Sequence, residues 1–119
     1  MAAALVLVVD DHADFRQWAR RILEAAGFTV AEAASGMEAV AAVDELGPDA
    51  VLLDVQLPDL DGFAVANRLL GAGYTAPVVF ISAREARDYG DRLAHSSAAG
   101  FIVKDQLTGS LFRSIIERP

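Results

Sequence analysis

The sequence of 119 residues contains no cysteine. That excludes a disulfide scaffold, a thiol nucleophile, an iron–sulfur cluster and a cysteine zinc site. Only two histidines occur, His12 and His95. Neither has partners at metal-ligand spacing, so both are read as ordinary loop or helix-surface residues rather than zinc ligands. Basic residues are outnumbered, ten against seventeen acidic, for a net charge of −7. A phosphate-backbone binder needs clustered Lys and Arg, so direct nucleic-acid contact is excluded as the role of this chain. Long apolar runs are missing as well. The longest stretch without charge, Leu69 to Ala83, is broken by Gly71, Gly73 and Pro77 and cannot be a spanning helix. The apolar run from Ala2 to Val9 lacks the positive flank and cleavage-like site of a secretory signal, and it enters Asp10-Asp11 directly. It reads as a buried strand of a cytoplasmic protein with no membrane contact. There is no repeat, low-complexity tract or linker. The length and a hydrophobic fraction of 54% therefore predict one folded domain over residues 1–119.

Five β-like runs stand out: Leu5–Val9, Thr29–Ala33, Ala50–Leu53, Val78–Ile81 and Gly100–Val103. The first, third and fourth are continuously apolar, as strands covered on both faces must be. The second, TVAEA, alternates and reads as an edge strand. Helical segments lie between them. In the first, Phe15, Trp18, Ala19, Ile22, Leu23 and Ala26 make one stripe, predicted to be core packing, and Gly27 ends it. Ser35 and Glu38 form a capping box at the second. A third surrounds Phe63–Leu70, a fourth runs roughly over Ala86–Ser97, and a fifth follows Thr108. Strand–helix alternation repeated five times implies right-handed crossovers and a doubly wound, five-stranded parallel α/β sheet. Such sheets bind ligands at the carboxyl ends of their strands.

At those ends stand Asp10 and Asp11, Asp54, Ser82 and Lys104, each the first polar side chain after an apolar run. Lys104 is the only lysine, in a chain whose other nine cations are arginines, which suggests a compact point charge is required there. Three carboxylates repel one another unless a cation intervenes. Oxygen ligands with positions to spare suit Mg²⁺. A carboxylate beside Mg²⁺, a hydroxyl and an ammonium can accept a phosphoryl group as an acyl phosphate. Taken singly, each residue has a plainer reading as a cap, a turn or a surface charge. Those readings weaken together, because all of these residues fall on one edge of the sheet. Rival ligands fit poorly. DDHADF after the first strand would repel a flavin phosphate, there is no P-loop or dinucleotide fingerprint, and Gln56 replaces the second Asp of a haloacid-dehalogenase-type Asp-x-Asp.

The segments VVDDH (8–12), LLDVQLPDLDGF (52–63), ISA (81–83) and GFIVKD (100–105) resemble the receiver domain of two-component response regulators, the chemotaxis-regulator fold, over essentially the whole chain. The resemblance implies a flavodoxin-like (βα)5 fold with strand order 2-1-3-4-5. It implies that Asp54 is the phosphoacceptor. Asp11, Asp54 and the Gln56 backbone carbonyl would bind Mg²⁺, and Asp10 would hold a metal-bound water. Ser82 and Lys104 match the hydroxyl and lysine that reach for the phosphoryl group. Phe101 falls at the aromatic switch position, and Gln56 and Arg84 at positions that tune the phosphoryl lifetime. Pro58 and Gly62 shape the loop after the acceptor. The implied donor is a histidine kinase or phosphotransfer protein. The implied output is a change in the surface of the fourth helix, fifth strand and fifth helix, read by a downstream domain or protein or by a second copy in a homodimer. Asp105 follows Lys104 where many receivers have proline, as in receivers resembling those of NarL/LuxR-type transcription factors, and a trans peptide is expected there. The chain stops at Pro119, where the fifth helix would end, which fits either a stand-alone receiver or one cut from a longer regulator. Two other readings are a phosphorylation-independent interaction scaffold and a small acid phosphatase. A receiver catalyses only its own phosphorylation and dephosphorylation.

Overall fold

The structure is a computed structural model that describes residues 3–118. The termini of the predicted domain, Met1, Ala2 and Pro119, lie outside the described residues; the fifth helix ends earlier than expected, at Ile116, with Glu117 as its C-cap. The apolar runs form the strands β1 (Leu5–Val9), β2 (Thr29–Ala33), β3 (Ala50–Asp54), β4 (Val78–Ser82) and β5 (Gly100–Val103). They build one sheet in the order β2-β1-β3-β4-β5, every neighbouring pair parallel. Helices α1 (Ala13–Ala25), α2 (Gly36–Leu46), α3 (Gly62–Gly71), α4 (Asp91–Ala94) and α5 (Gly109–Ile116) connect and flank them. This is the doubly wound, flavodoxin-like (βα)5 fold expected from the alternation and the resemblance.

The continuous apolar runs are explained by two cores, one on each face. Because side chains alternate along a strand, Leu7 and Val9 point with Leu53 and Phe80 toward Val43, Phe63 and Leu69, on α2 and α3. Val6 and Val8 point the other way, with Leu52 and Ile81, toward Leu23 on α1 and Phe112 and Ile115 on α5. Each large side chain so buried contributes roughly 1.5–3 kcal/mol. The two cores hold the middle of the sheet rigid, so the residues at the carboxyl end of each strand are fixed in space.

Three local expectations are corrected. The fourth helical segment does not run over Ala86–Ser97. It is a 3-10 turn at Ala86–Asp88 followed by the four-residue α4. Gly90 divides them at φ 52°, ψ −128°, a conformation outside the helix that glycine adopts without strain. Trp18 is not core: it is 37% exposed at the edge of the α1 stripe, tilted against Phe15 at a centroid distance of 5.7 Å, while Ala19 and Leu23 carry the burial. The capping box at α2 is half made. Ser35 Oγ accepts from Glu38 N at 3.2 Å, but the Glu38 carboxylate meets the Ser35 hydroxyl at 3.4 Å. The next two orphan donors, Gly36 N and Met37 N, are taken by the Asp59 carboxylate at 2.8 and 2.9 Å. That ties the loop after β3 to the start of α2.

Candidate functional site

Asp54 is the last residue of β3, the central strand, and Ser82 is the last of β4 beside it. Asp10 follows β1 on the other side of β3, and Lys104 follows β5. Asp10, Asp54 and Ser82 are the buried polar or charged residues among those described, at 0%, 4% and 1% exposure. The Lys104 ammonium lies between the two acids, 2.5 Å from Asp10 Oδ2 and 3.2 Å from Asp54 Oδ2. It also sits 4.7 Å above the centre of the Phe15 ring, a cation–π contact with α1. The remaining oxygens are held by backbone. Gln56 N donates to Asp54 Oδ1 at 3.0 Å and His12 N to Asp10 Oδ1 at 2.7 Å. Arg16 donates to the Asp10 carbonyl at 2.7 Å while its Nε pairs with Glu32 at 3.0 Å, which fixes the turn between β1 and α1.

The electrostatics follow from burial and unequal pairing. Burial pushes the Asp54 carboxyl up to about 6, and the negative charge of Asp10 adds to that, against the opposing pull of Gln56 N–H and Lys104. Burial acts the same way on Asp10, but there the Lys104 ammonium and the His12 N–H outweigh it, and its pKa lies below the ordinary carboxylate value. Burial alone would lower the Lys104 pKa; the two carboxylates overcome this and raise it, so the ammonium stays charged.

Ligand atoms of Asp10, Asp11, His12 and Asp54 all lie within 4.8 Å of one another. Asp11 is exposed at the rim, its Oδ1 3.2 Å from His12 Nδ1. Two observations test this cluster as a cation site. Two buried carboxylates share one ammonium, and a third, exposed, stands beside them. Asp10 Oδ2 is buried with an ion-pair contact to Lys104 but no directed hydrogen bond. Hard oxygen donors with spare valence fit a small divalent cation. The cluster is a fitting metal site.

The structure thus brings together Asp10, Asp11, Asp54, Ser82 and Lys104. Phe101 stands apart from the acids, on β5, half-buried against the α2/α3 core. Gln56 and Arg84 are exposed, and each meets the site through its backbone N–H, Gln56 on Asp54 and Arg84 on Ser82 Oγ at 3.0 Å. No peptide bond among the described residues is cis, and Lys104–Gln106 form a 3-10 turn. His12 is a correction: it lies against both Asp10 and Asp11, at 3.0 and 3.2 Å, and is not a bystander. Its place two residues after Asp10 was the available signal. His95 remains peripheral, its Nδ1 on the Asp91 carbonyl at 2.8 Å. Phe15, read from sequence only as core packing, lies beneath Lys104, and Tyr89, whose hydroxyl is 2.6 Å from Ser82 Oγ, escaped sequence reasoning altogether.

Residues 6–116 match the response regulator receiver domain family. The transcriptional regulatory protein PrrA of Mycobacterium tuberculosis is 41% identical over 101 residues, which cover 83% of this chain and 42% of PrrA. The chain therefore spans less than half the length of that relative. The chemotaxis protein CheY4 of Vibrio cholerae has a similar structure, with a TM-score of 0.84 and 28% identity over 96% of this chain and 97% of that one. So has the N-terminal domain of a response regulator/sensory box/GGDEF 3-domain protein from Carboxydothermus hydrogenoformans. Its TM-score is 0.81 and its identity 28%, over 95% of this chain and 90% of that one.

Proposed function

The chain belongs to the response regulator receiver domain family, and from that premise we propose that Asp54 is its phosphoacceptor in a two-component phosphorelay. Receiver domains carry out only their own phosphorylation and dephosphorylation and are not enzymes acting on an external substrate. The observation that carries the proposal is Lys104, whose ammonium bridges buried Asp10 and buried Asp54 beside the Ser82 strand end. Asp10, Asp11 and Asp54, with the Gln56 backbone carbonyl, would hold Mg²⁺, which supplies positive charge against that on the phosphoryl oxygens.

The chain's own groups do the rest. An Asp54 carboxylate oxygen attacks the phosphorus of a phosphohistidine on a histidine kinase or phosphotransfer protein. The new O–P bond forms as the N–P bond breaks, and the imidazole leaves with the electron pair and takes up a proton. Lys104 offsets charge on the transferred group and Ser82 donates a hydrogen bond to it. Gln56 and Arg84, exposed beside these residues, control the approach of water and so the phosphoryl lifetime. Withdrawal of Ser82 toward Asp54 leaves room for Phe101 to move inward, and the surface of α4, β5 and α5 changes for a downstream partner, an attached output domain or a second copy. We read residues 1–119 as one cytoplasmic receiver domain. No helix among the described residues is long and apolar enough to cross a membrane. Lys104-Asp105 marks it as similar to the receivers of NarL/LuxR-type transcription factors.

The test is intact-protein mass after incubation with Mg²⁺ and acetyl phosphate, alongside Asp54→Asn. One phosphoryl adduct is expected, absent from the variant and absent with EDTA. Mg²⁺ at ten times its Kd should also stabilise the wild type by about 1.4 kcal/mol by mass action. No adduct from acetyl phosphate or from a cognate kinase, with no stabilisation by Mg²⁺, would leave the interaction scaffold. Turnover of free phosphomonoesters would point to a phosphatase.

A further inference from the structure

We infer that Tyr89 is a positioning residue for phosphoryl transfer, whose hydroxyl holds the Ser82 side chain while Asp54 is unmodified and must release it when Asp54 is phosphorylated. The inference rests on the phosphoacceptor reading of Asp54. Ser82 is 1% exposed and its Oγ has two partners: Arg84 N donates to it at 3.0 Å, and the Tyr89 hydroxyl lies 2.6 Å away. The second contact is at the short end of the range for hydroxyl pairs. A serine hydroxyl has one proton to give and two lone pairs to receive with. Arg84 N–H fills one lone pair, and Tyr89 engages either the proton or the other lone pair. In both arrangements, turning Oγ toward a phosphoryl oxygen on Asp54 breaks or bends the bond to Tyr89.

In the unmodified protein the phenol ring is packed among aromatic neighbours. The ring centroids of Phe63 and Phe101 each lie 5.8 Å from that of Tyr89, and Phe63 in turn packs on Phe80 at 4.8 Å. The carrying segment has its own cap. Tyr89 closes the 3-10 turn Ala86–Asp88, where Glu85 and Asp88 cap each other's backbone N–H groups. Phe101 has no hydroxyl to offer Ser82. Among the described residues, Tyr89 is the side chain that hydrogen-bonds it. A tyrosine placed only for packing would not need its hydroxyl there.

Tyr89→Phe removes the oxygen and keeps the ring between Phe63 and Phe101. Initial rates of Mg²⁺-dependent labelling by acetyl phosphate are compared by intact mass in wild type, Tyr89→Phe, Ser82→Ala, the double variant, and the same tyrosine change on Ser82→Thr. Freeing the hydroxyl should raise the rate roughly two- to ten-fold, the factor that one net hydrogen bond is worth. The gain should disappear on Ser82→Ala and persist on Ser82→Thr, which keeps a hydroxyl. Unchanged labelling in Tyr89→Phe, or an equal gain on Ser82→Ala, would overturn the inference while leaving Asp54 as acceptor. Absence of label from every variant, wild type included, would instead remove the phosphoacceptor reading and this inference with it. Thermal unfolding of each variant separates a loss of fold from a change in rate.

Discussion

Replacing Gly62 with alanine should damage both the fold and the acceptor site, and the magnitude can be worked from where α3 begins. A Cβ on Gly62 would lie 2.5 Å from the Asp54 carbonyl oxygen and 2.8 Å from Val55 Cα. Carbon contacts are comfortable near 3.5–4.0 Å, so about 1 Å must be found. Neither neighbour can rotate aside, since both are backbone. Gly62 N also donates to the Val55 carbonyl at 2.7 Å, which ties the two segments being forced apart. Overpacking of this kind costs about 1–3 kcal/mol, and weakening that hydrogen bond adds roughly 1 kcal/mol. With a urea slope of about 1–3 kcal/mol/M, the midpoint should fall by about 1–2 M. The same change at Gly71, at the other end of α3, meets nothing within 4 Å and has no positive φ to strain. Gly71→Ala should therefore stabilise by roughly 0.4–1 kcal/mol through the unfolded chain. The chemical consequence separates the two further. The displaced atoms at Gly62 include the backbone of Asp54, the proposed acceptor, and a shift of about 1 Å can cost on the order of 100-fold in rate. Labelling by acetyl phosphate should collapse in Gly62→Ala and be unaltered in Gly71→Ala. If Gly62→Ala kept the wild-type urea midpoint and labelling rate, the close packing of α3 on the end of β3 would have no energetic meaning.

Two further perturbations probe the charges. Lys104→Met leaves buried Asp10 and Asp54 facing each other without their cation, and breaking such a pairing costs about 3 kcal/mol. In EDTA the loss should show in the urea midpoint and should shrink when Asp54→Asn is added, because one of the two orphaned charges is then gone. An equally large loss in the double variant would mean that lysine packing over Phe15, not pairing, is what matters. Glu32 reports on pH. Burial would raise its pKa, but Arg20 and Arg16 outweigh that and hold it below its ordinary value of 4.5. Its stabilisation is therefore complete well above 4.5 and is lost as pH falls through the depressed folded value. Glu32→Gln should melt below wild type at pH 7, and the gap should close as pH falls from 4.5. A gap that held constant at acid pH would mean the carboxylate charge is not the source.

The strands were legible because each is buried on two faces, which leaves a run of apolar residues ending abruptly in a polar one. LVLVV before Asp10 and AVLL before Asp54 each mark a strand and its functional end at once. What escaped depends on contacts that sequence spacing does not encode. Tyr89 meets Ser82 seven residues away, across a loop between the end of β4 and a 3-10 turn rather than along a helix. It was hidden inside a segment whose apolar spacing suggests a helix, and Gly90 alone marks the break. Asp59 caps α2 across 23 residues, a role no local pattern distinguishes from a solvated turn. Trp18 fits the stripe of α1 by spacing, but a stripe has edges, and exposure at an edge is decided by what α5 and the sheet leave uncovered. His12 failed for another reason: its ligand partners are its own neighbours, which a search for distant metal-ligand spacing passes over.

The geometry also explains why the lone lysine stands where it does. In the order β2-β1-β3-β4-β5, the strand carrying Lys104 is three steps from the strand before Asp10. Neighbouring strands are ~4.8 Å apart, so the span across the sheet is roughly 14 Å. Asp54 and Ser82, one and two steps along that line from β1, can serve the site with short side chains. A residue at the end of β5 needs a long one to reach past β4 to both acids. Length alone would also admit arginine. A guanidinium presents a flat fork suited to a single carboxylate face-on, whereas an ammonium directs three donors around a point. Between Asp10 at 2.5 Å and Asp54 at 3.2 Å, a point charge is what fits. Asp11, at the exposed rim, has its Oδ1 3.2 Å from His12 Nδ1 rather than on the ammonium. The cluster thus has its ammonium between the two buried acids and an exposed carboxylate at the rim. A metal ion held on that rim would add a second positive charge beside the carboxylates that Lys104 already pairs.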